Sequence, residues 1–578
     1  MISGQNAGEG RVLMPASAIP AAAYLSLLVI APFAMLVVYS FWRADFFSVT
    51  PAFTFENFAK LATSPLYRGV LLKTLLAASI ASVIAVLVGY VVAYAIVFRF
   101  EAWGRRILLL IMASLLASYI VRVYALTTIL GTNGLINRSL LGLGLIETPI
   151  SWLLYGYPTI IIALVYLYMP IVILLLFSGM QGIDTRLFEA SRDLGRGHFG
   201  TLVHVLLPLS RPAVRTAFFF VFILIASDYV TPRMVGGVDG QMIGTIIADQ
   251  FGAANNYPFG AALSLAMLAG FAVFIGGFAL AERLVTLIAR RIPAGLARIA
   301  AVSGARMSLP RLPVAETVTI VTLVCLFAPL VTVLVFSFNE ARNPGLPYTG
   351  VTLSWYGEVL TSPDFHRALL TSVKIAAITI LGGVALGLPT AIALAWRDFA
   401  LKPSFLGLTY LPMIVPGVVL GVALLTILVT LGIRLGYLVT AAAHTMLVLP
   451  YVVQTLRIRL ERIDPRIIEA AADLGSGRLR VLRTVTLPIL LPALLGAGVL
   501  AMAMSLDELL VTNFTIGRDV TVPAWIAARM RTGLTPALNA VAILMLVGTL
   551  ALIGLTSLWL RYLERRATAA QRPHLLEK

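Results

Sequence analysis

The residues best suited to chemistry lie in two polar segments, Ile183–Pro212 and Ile463–Pro492, which carry the same pattern. Each begins Ile-Asp-x-Arg-x-x-Glu-Ala-x-x-Asp-Leu-Gly-x-Gly, and the shared residues are 280 positions apart without a gap. The sequence has no soluble domain large enough to hold a Ser/His/Asp or Cys/His constellation, so these carboxylates and guanidinium groups indicate a charged binding surface rather than a reaction centre. An ordinary basic loop would explain one copy. Because loops diverge faster than membrane spans, two copies in register favour a surface that a partner in water contacts.

A second set of candidates lies near the ends of long apolar segments. Asp228 and Glu508 are also 280 positions apart. A charged side chain at the bilayer centre costs about 2.5–3.5 kcal/mol, so each acid needs a reason to be there. They could contact a cationic solute, or they could be structural and cap the loop that follows. The candidate residues of a solute path are Asp228, Tyr229, Asp507, Glu508 and Asn513.

The composition places these residues in a membrane protein. Of the 578 residues, 60% are hydrophobic and 12% are charged. Apolar runs of about 20 residues recur, as helices that cross a ~30 Å hydrocarbon core require. The net charge of +17 fits basic residues beside membrane spans, and we expect no nucleic acid as a partner. The single cysteine, Cys325, excludes a disulfide framework, and the five histidines have no ligand spacing, so we predict no metal site.

The apolar runs predict an all-α polytopic protein with about twelve membrane helices, arranged as two parallel six-helix repeats. In the first half the expected spans are Ile19–Trp42, Leu71–Val97, Ile107–Leu130, Tyr155–Phe177, Ala213–Val235 and Phe259–Leu284. In the second half they are Val314–Phe336, Leu369–Ala395, Phe405–Leu431, Tyr437–Leu456, Ile489–Val511 and Ala537–Leu560.

The same pattern divides the chain into domains and sets its orientation. We expect an N-terminal tail (1–18), a six-span domain (19–288), a linker (289–313), a second six-span domain (314–562) and a C-terminal tail (563–578). Arginines cluster in both polar segments, in the linker and in the C-terminal tail. With six spans in each half, all of these face one side, which the positive-inside rule makes the cytoplasm. Both termini are then cytoplasmic, and the protein is bound in the lipid bilayer.

Each polar segment also carries the signals of a short helix. Asp184 and Asp464 are suited to cap its start, and Gly195 and Gly475 lie where it should end. A short helix held below the bilayer between two spans would let a cytoplasmic partner move both spans together.

Prolines and one arginine near the end of a predicted span give further local expectations. Pro208 and Pro488 should mark where the next span begins. Residues 412–417 hold two prolines and a glycine and should break the third span of the second half. Gly131–Thr148 reads as a re-entrant or interfacial segment, and Arg122 should extend to the outer membrane interface.

The pattern Glu-Ala-x-x-x-x-Gly followed by Leu-Pro resembles the coupling-loop signature of the membrane subunits of ATP-binding-cassette (ABC) importers. It stands here as Glu189-Ala190, Gly195 and Leu207-Pro208, and again as Glu469-Ala470, Gly475 and Leu487-Pro488. In that family the helix of this loop docks in a groove on an ATPase subunit. The resemblance therefore implies that the coupling residues are Asp184, Arg186, Glu189, Ala190, Gly195, Asp464, Arg466, Glu469, Ala470 and Gly475.

Shorter motifs resemble the two permease subunits of spermidine/putrescine importers. In the first half these are Asn133-Gly134-Leu135-Ile136-Asn137 and Asp228-Tyr229-Val230-Thr231-Pro232; in the second half they are Val415-Pro416-Gly417 and Ser505-Leu506-Asp507-Glu508. The resemblance implies a type I ABC importer transmembrane domain in a bacterial plasma (inner) membrane, with a polyamine or similar organic cation as solute. Relatives import ferric iron, thiamine, phosphonates or opines, and these alternatives stay open, as does an ion-driven secondary transporter.

The resemblance also implies the partners. They are two copies of an ABC ATPase subunit, which would bind ATP and Mg, and a periplasmic or extracellular solute-binding protein. No Gly-x-x-x-x-Gly-Lys-Ser/Thr phosphate loop occurs in the sequence. We therefore expect a transport subunit that is not itself an enzyme and that binds no cofactor.

Overall fold

The computed structural model describes residues 12–44, 49–100, 102–291, 314–342, 345–533 and 535–571. Much of both expected tails and nearly all of the linker lie outside these described residues. Within them, eleven helices are long and apolar enough to cross a membrane, or twelve if one sharply bent pair is a single span. The predicted all-α polytopic fold is therefore confirmed.

In its described residues the first half contains the twelve helices named below, the further short helix His198–Thr201, and a two-stranded antiparallel sheet of β1 (Arg43–Ala44) and β2 (Val49–Thr50). The helices are α1 (Ala16–Ser40), α2 (Glu56–Thr63), α3 (Pro65–Phe98), α4 (Gly104–Ser114), α5 (Tyr119–Leu130), α6 (Leu135–Gly142), α7 (Tyr157–Met180), α8 (Arg186–Asp193), α9 (Leu207–Ala226), α10 (Val230–Val235), α11 (Ile243–Phe251) and α12 (Tyr257–Arg291).

The described residues of the second half repeat this order, except that no helix corresponds to α6. Its helices are α13 (Val314–Phe336), α14 (Ser354–Thr361), α15 (Pro363–Trp396), α16 (Lys402–Ile414), α17 (Gly417–Thr430), α18 (Tyr437–Leu460), α19 (Pro465–Asp473), α20 (Leu487–Asp507), α21 (Thr512–Thr515), α22 (Val522–Thr532) and α23 (Pro536–Gln571).

The chain forms two compact units whose membership differs from the sequence repeat. The first unit comprises Tyr39–Phe336 and Gly345–Tyr348; the second comprises Met1–Val38, Ser337–Pro344 and Thr349–Lys578. Each unit therefore contains five spans of one repeat and the first span of the other. The expected domains, 19–288 and 314–562, follow the repeat along the chain and do not include this exchange.

Side-chain contacts inside the first unit fix α13 to it. The Arg99 guanidinium, at the end of α3, contacts the Glu316 carboxylate at 2.7 Å. The Tyr166 hydroxyl of α7 lies 3.4 Å from the Leu326 carbonyl oxygen. The first span of the second half thus packs among spans of the first half.

The second unit holds α1 in the same way. Ala18, Ala21 and Leu25 are fully or almost fully buried in its hydrophobic core. The Tyr24 hydroxyl donates to the Ala442 carbonyl oxygen in α18. Small residues on one face of α1 allow this close approach to a neighbouring helix.

The third span is broken in both halves. In the second half α16 and α17 are bent by 104°, which confirms the break predicted for residues 412–417. In the first half α4 and α5 are separated by residues 115–118, so the continuous span predicted for Ile107–Leu130 is wrong. No proline marks that break in the sequence; Ser118 takes the extended backbone conformation that Pro416 has in the second half. The segment expected to be interfacial, Gly131–Thr148, contains α6.

Pro208 and Pro488 lie in the first turn of α9 and α20, which begin at Leu207 and Leu487. A short helix, His198–Thr201, runs through a π turn, Leu202–Leu206, into α9. Arg478–Val481 and a π turn at Leu482–Thr486 lead into α20 in the same manner. A proline cannot donate to the preceding turn, and the wider π turn accommodates the missing hydrogen bond. Both prolines therefore mark the start of an α-helix, as predicted, and the continuous helical path into each span starts several residues earlier.

Candidate functional site

The first polar segment folds into α8, whose ends have the predicted caps. The Asp184 carboxylate accepts the Arg186 backbone N–H at 2.9 Å. Gly195 has φ 78°, and its N–H donates to the Arg192 carbonyl at 2.8 Å. The Arg196 N–H donates to the Ser191 carbonyl at 3.2 Å. These two bonds form a Schellman motif, which needs a left-handed residue at the glycine position.

The second polar segment builds α19 with the same chemistry in the other unit. The Asp464 carboxylate accepts the Arg466 N–H at 3.0 Å. Gly475 has φ 79°, and the Ser476 N–H donates to the Ala471 carbonyl at 3.3 Å. The shared aspartate and glycine therefore produce similar helix ends, as expected of signals that act within a single turn.

The exposed face of each short helix carries apolar side chains that the sequence reasoning missed. Leu187 and Leu194 are 45% and 82% exposed, and Ile467 and Leu474 are 47% and 86% exposed. With the exposed alanine between each pair they have the i, i+3, i+7 spacing of one helix face. That spacing is visible in the sequence and would have identified them. We call these two groups the docking stripes. Their members are Leu187 and Ala190 in α8 with Leu194 directly after it, and Ile467 and Ala470 in α19 with Leu474 directly after it.

The charged candidates surround the docking stripes. Glu189 and Arg186 are exposed in α8. Arg466 is exposed in α19, whereas Glu469 is half-buried. A solvent-facing helix with an apolar stripe and a charged border has the character of a protein contact surface.

The opposite face of α8 is attached to its own unit. The Phe188 ring packs edge-on against Phe98, at the end of α3, with ring centroids 5.0 Å apart. The Ser191 hydroxyl lies 3.1 Å from the Thr201 hydroxyl, and both side chains are buried. In the second unit, Ile468 packs against the hydrophobic core in the position of Phe188. A force applied to either short helix would therefore reach the adjoining spans.

Asp228 lies in the turn between α9 and α10, beyond the end of its span, and is 1% exposed. Its carboxylate accepts the backbone N–H groups of Val230 and Thr231, both at 3.0 Å, and the Thr231 hydroxyl at 2.7 Å. The Tyr119 hydroxyl is 2.7 Å from each oxygen, and the Tyr168 hydroxyl is 3.5 Å from one. This is the geometry of a cap that also ties α5 and α7 to the turn.

The other candidates of the solute path occupy a different environment. Glu508 follows α20 and is half-buried, and its carboxylate accepts the Val511 N–H at 2.6 Å. Asp507 is half-buried and Asn513 is exposed. Asp507 ends α20 and Asn513 is the second residue of α21, so both lie with Glu508 at the junction of these helices. Tyr229 is buried in the first unit. Among the described residues, no group of three His, Cys, Asp or Glu side chains is placed to hold a metal ion.

Arg122 does not reach the membrane interface as predicted. It is buried in α5, and its guanidinium donates to the Leu167 carbonyl oxygen of α7 at 3.0 Å. Pro170 lies within α7 and deprives the preceding turn of a donor. That donor would have served the Tyr166 carbonyl, one residue before Leu167. The Arg122 bond to Leu167 is therefore an additional hydrogen bond between α5 and α7 beside this turn.

Comparison with known proteins agrees with this architecture. Residues 85–293 and 364–569 each match the family described as binding-protein-dependent transport system inner membrane component. The spermidine/putrescine transport system permease protein PotC of Haemophilus influenzae is 35% identical over 239 residues, which cover 40% of this chain and 91% of that protein. PotC of Escherichia coli K12 is 32% identical over 229 residues, covering 39% of this chain and 86% of that protein.

The partner permease of the same named system is also similar. PotB of Salmonella typhimurium LT2 is 31% identical over 245 residues, which cover 42% of this chain and 85% of that protein. A solved bacterial ABC transporter involved in the import of alginate has a TM-score of 0.39 and 14% identity, and covers 48% of this chain and 94% of that chain. The two family matches together span more than half of the chain, and each includes one of the short helices with a docking stripe. The chain therefore belongs to the family of binding-protein-dependent transport system inner membrane components, as a fused permease of a type I ABC importer.

Proposed function

We propose that α8 and α19 are coupling helices, through which two ATPase subunits drive this permease. The observation that carries the proposal is the pair of docking stripes, each exposed on one face and attached to a membrane unit on the other. The capping residues Asp184, Gly195, Asp464 and Gly475 would hold the helix ends, and Glu189 and Glu469 would contact the ATPases. ATP and Mg would be bound by those subunits.

Transport would follow an alternating-access cycle. ATP binding would bring the two ATPases together and move both coupling helices, and the attached spans would open outward to receive solute from a binding protein. Hydrolysis would reset the cycle. Both termini would face the cytoplasm of a bacterial cell. The attachment of Phe188 to Phe98 supports this transmission, because it joins the coupling helix to the end of α3.

The solute that we propose is a polyamine or a similar small organic cation. The named function of the PotC and PotB relatives supports this class. The acids Asp507 and Glu508 add support, since they lie at one junction in the second unit. Tyr229, Asn513 and Asp228 complete the proposed solute path, with Asp228 acting by supporting its turn.

One reconstitution tests the proposed function. The chain would be placed in proteoliposomes with and without a candidate ATPase and binding protein, and ATP-dependent uptake of labelled putrescine and spermidine would be measured. We expect uptake only with both partners, and Glu189→Ala with Glu469→Ala should leave hydrolysis poorly coupled to uptake. Uptake driven by an ion gradient without the ATPase would contradict the proposal. ATP-dependent uptake of another solute alone would contradict only the solute class.

A further inference from the structure

His444 is a buried titratable residue that the transport mechanism described above does not use. It lies in α18 and is 1% exposed. Its Nδ1 is 2.8 Å from the Ser505 hydroxyl, and its Nε2 is 2.8 Å from the Thr512 hydroxyl. Ser505 is near the end of α20 and Thr512 begins α21, so the imidazole bridges the junction that contains Glu508.

The hydrogen bonds around the ring assign its tautomer. The Thr512 hydroxyl donates its only proton to the Glu508 carbonyl oxygen at 2.8 Å. It must therefore accept from His444, which places the ring proton on Nε2. The Ser505 hydroxyl is 2.8 Å from Nδ1 but 3.4 Å from the Thr379 hydroxyl, so we assign its proton to the shorter contact, with Nδ1 as acceptor. The result is a directed chain from Ser505 through His444 and Thr512 to the backbone of Glu508. All three linking side chains are buried, so each bond is protected from water.

A second hydrogen bond also connects α18 to α21. The Thr440 and Thr515 hydroxyls are 3.1 Å apart, and both side chains are fully buried. Thr440 lies one helical turn before His444 in α18. Two hydrogen bonds, His444 to Thr512 and Thr440 to Thr515, therefore connect this helix to α21.

We call the hydrogen bonds of His444 with Ser505 and Thr512 the clasp. The first half has different residues at the corresponding positions. The 280-residue offset places Leu164, Ile225 and Pro232 where the second half has His444, Ser505 and Thr512. There the junction is held instead by Asp228, whose carboxylate receives hydrogen bonds from Thr231 and Tyr119. Glu508 occupies the Asp228 position but accepts a backbone N–H from Val511 within its own junction. The two halves thus stabilise equivalent junctions with different side chains.

We propose that His444 is a positioning residue that fixes the α20–α21 junction, and with it Asp507, Glu508 and Asn513, during transport. The clasp does in the second half what the Asp228 carboxylate does in the first. This proposal rests on the proposed function, because it concerns residues of the solute path. The junction geometry itself can be tested independently of any solute.

The transport test uses the complete assembly in proteoliposomes. His444→Leu should raise the KM for putrescine uptake by up to about tenfold, the effect of losing a buried hydrogen bond, with a smaller change in kcat. His444→Gln should restore much of the loss, because its amide can donate toward Thr512. The matched control is Thr445→Val, since Thr445 is a buried hydroxyl in the same helix that bonds to the Ala441 carbonyl of its own preceding turn and to Tyr24 of α1, and so to no residue of α20 or α21.

The geometry test labels a cysteine introduced at position 511 of the junction (Val511→Cys), where the native side chain is 1% exposed, in a Cys325→Ser background. Maleimide labelling should be faster by at least about threefold in His444→Leu, because a looser junction opens more often. If that variant does not fold, Thr512→Val should show the same increase, since it removes one hydroxyl of the clasp. The control Thr445→Val should label as the parent does.

The outcomes separate the two proposals. Normal labelling and normal KM in His444→Leu would overturn the role of His444, and so would equal effects of Thr445→Val. Faster labelling in an assembly that shows no ATP-driven uptake would support the positioning role and contradict the proposed function.

Discussion

Shortening the two leucines at the ends of the docking stripes should weaken ATPase binding. Leu194 and Leu474 are 82% and 86% exposed, so neither stabilises its own unit to a large extent. A Leu→Ala change removes three carbon atoms, and burial contributes about 0.8 kcal/mol for each CH₂. Each substitution should therefore cost about 2 kcal/mol of docking free energy if the stripe is buried against the partner.

That free energy corresponds to roughly a 30-fold weaker Kd for each docking event, at 1.4 kcal/mol for each factor of ten. The measurement is binding of the purified ATPase to the chain in nanodiscs, followed by interferometry. Thermal unfolding of the chain alone should be unchanged, because surface substitutions usually alter stability by less than about 0.5 kcal/mol.

A matched control is Leu143→Ala, since Leu143 is 72% exposed but lies beyond α6 and outside both docking stripes. It should leave the Kd unchanged. If Leu194→Ala and Leu474→Ala both bind within twofold of the unaltered chain, the stripes are not the ATPase contact and the reasoning from exposed area fails.

Three further substitutions test the local geometry. Asp228→Asn should lower the free energy of unfolding by about 2–4 kcal/mol, because an amide cannot accept all the hydrogen bonds that this carboxylate receives. The control is Glu508→Gln, which should have a smaller effect in the same thermal unfolding measurement. Equal losses would contradict the proposed difference between the two junctions. In Gly195→Ala the added Cβ would meet no atom within 4 Å, so the cost comes from the φ of 78°, which alanine rarely adopts. This backbone strain of about 1 kcal/mol at the end of α8 should weaken ATPase binding about fivefold. Gly197→Ala, also with open space around the Cβ, should not. Ser191→Ala should lower the free energy of unfolding by about 1 kcal/mol, because it leaves the buried Thr201 hydroxyl without its partner. Adding Thr201→Val removes that hydroxyl and should recover part of the loss. A larger loss in the double variant would refute this explanation.

Some site residues could be predicted from the sequence because their signals are local. Asp184 caps a helix by bonding an N–H two residues away, and Gly195 closes it through bonds within one turn. The break at Pro416 is of the same kind, because proline restricts the residues beside it. The corresponding break before Tyr119 was missed, since serine there gives no comparable signal.

Other features depend on neighbours that are distant along the chain. Asp228 was a candidate for solute contact, but its partner Tyr119 comes from another helix and commits the carboxylate to the turn. Arg122 was expected at the interface because nothing near it in sequence shows the Leu167 carbonyl that it bonds. His444 had no ligand spacing, and its two hydroxyl partners lie more than sixty residues away along the chain.

The sequence alone determined that the chain crosses a membrane many times, that its halves repeat, and that each half has a short capped helix between two spans. These properties follow from apolar length and from hydrogen bonds that close within one turn. Only the tertiary structure decided that the first spans are exchanged between the units. It also decided that the Asp228 carboxylate holds the α9–α10 junction while His444 holds the corresponding α20–α21 junction. A span that is apolar on all sides is as compatible with lipid as with protein. Its partners are therefore chosen by close packing and by rare polar contacts, which involve residues far apart in the sequence.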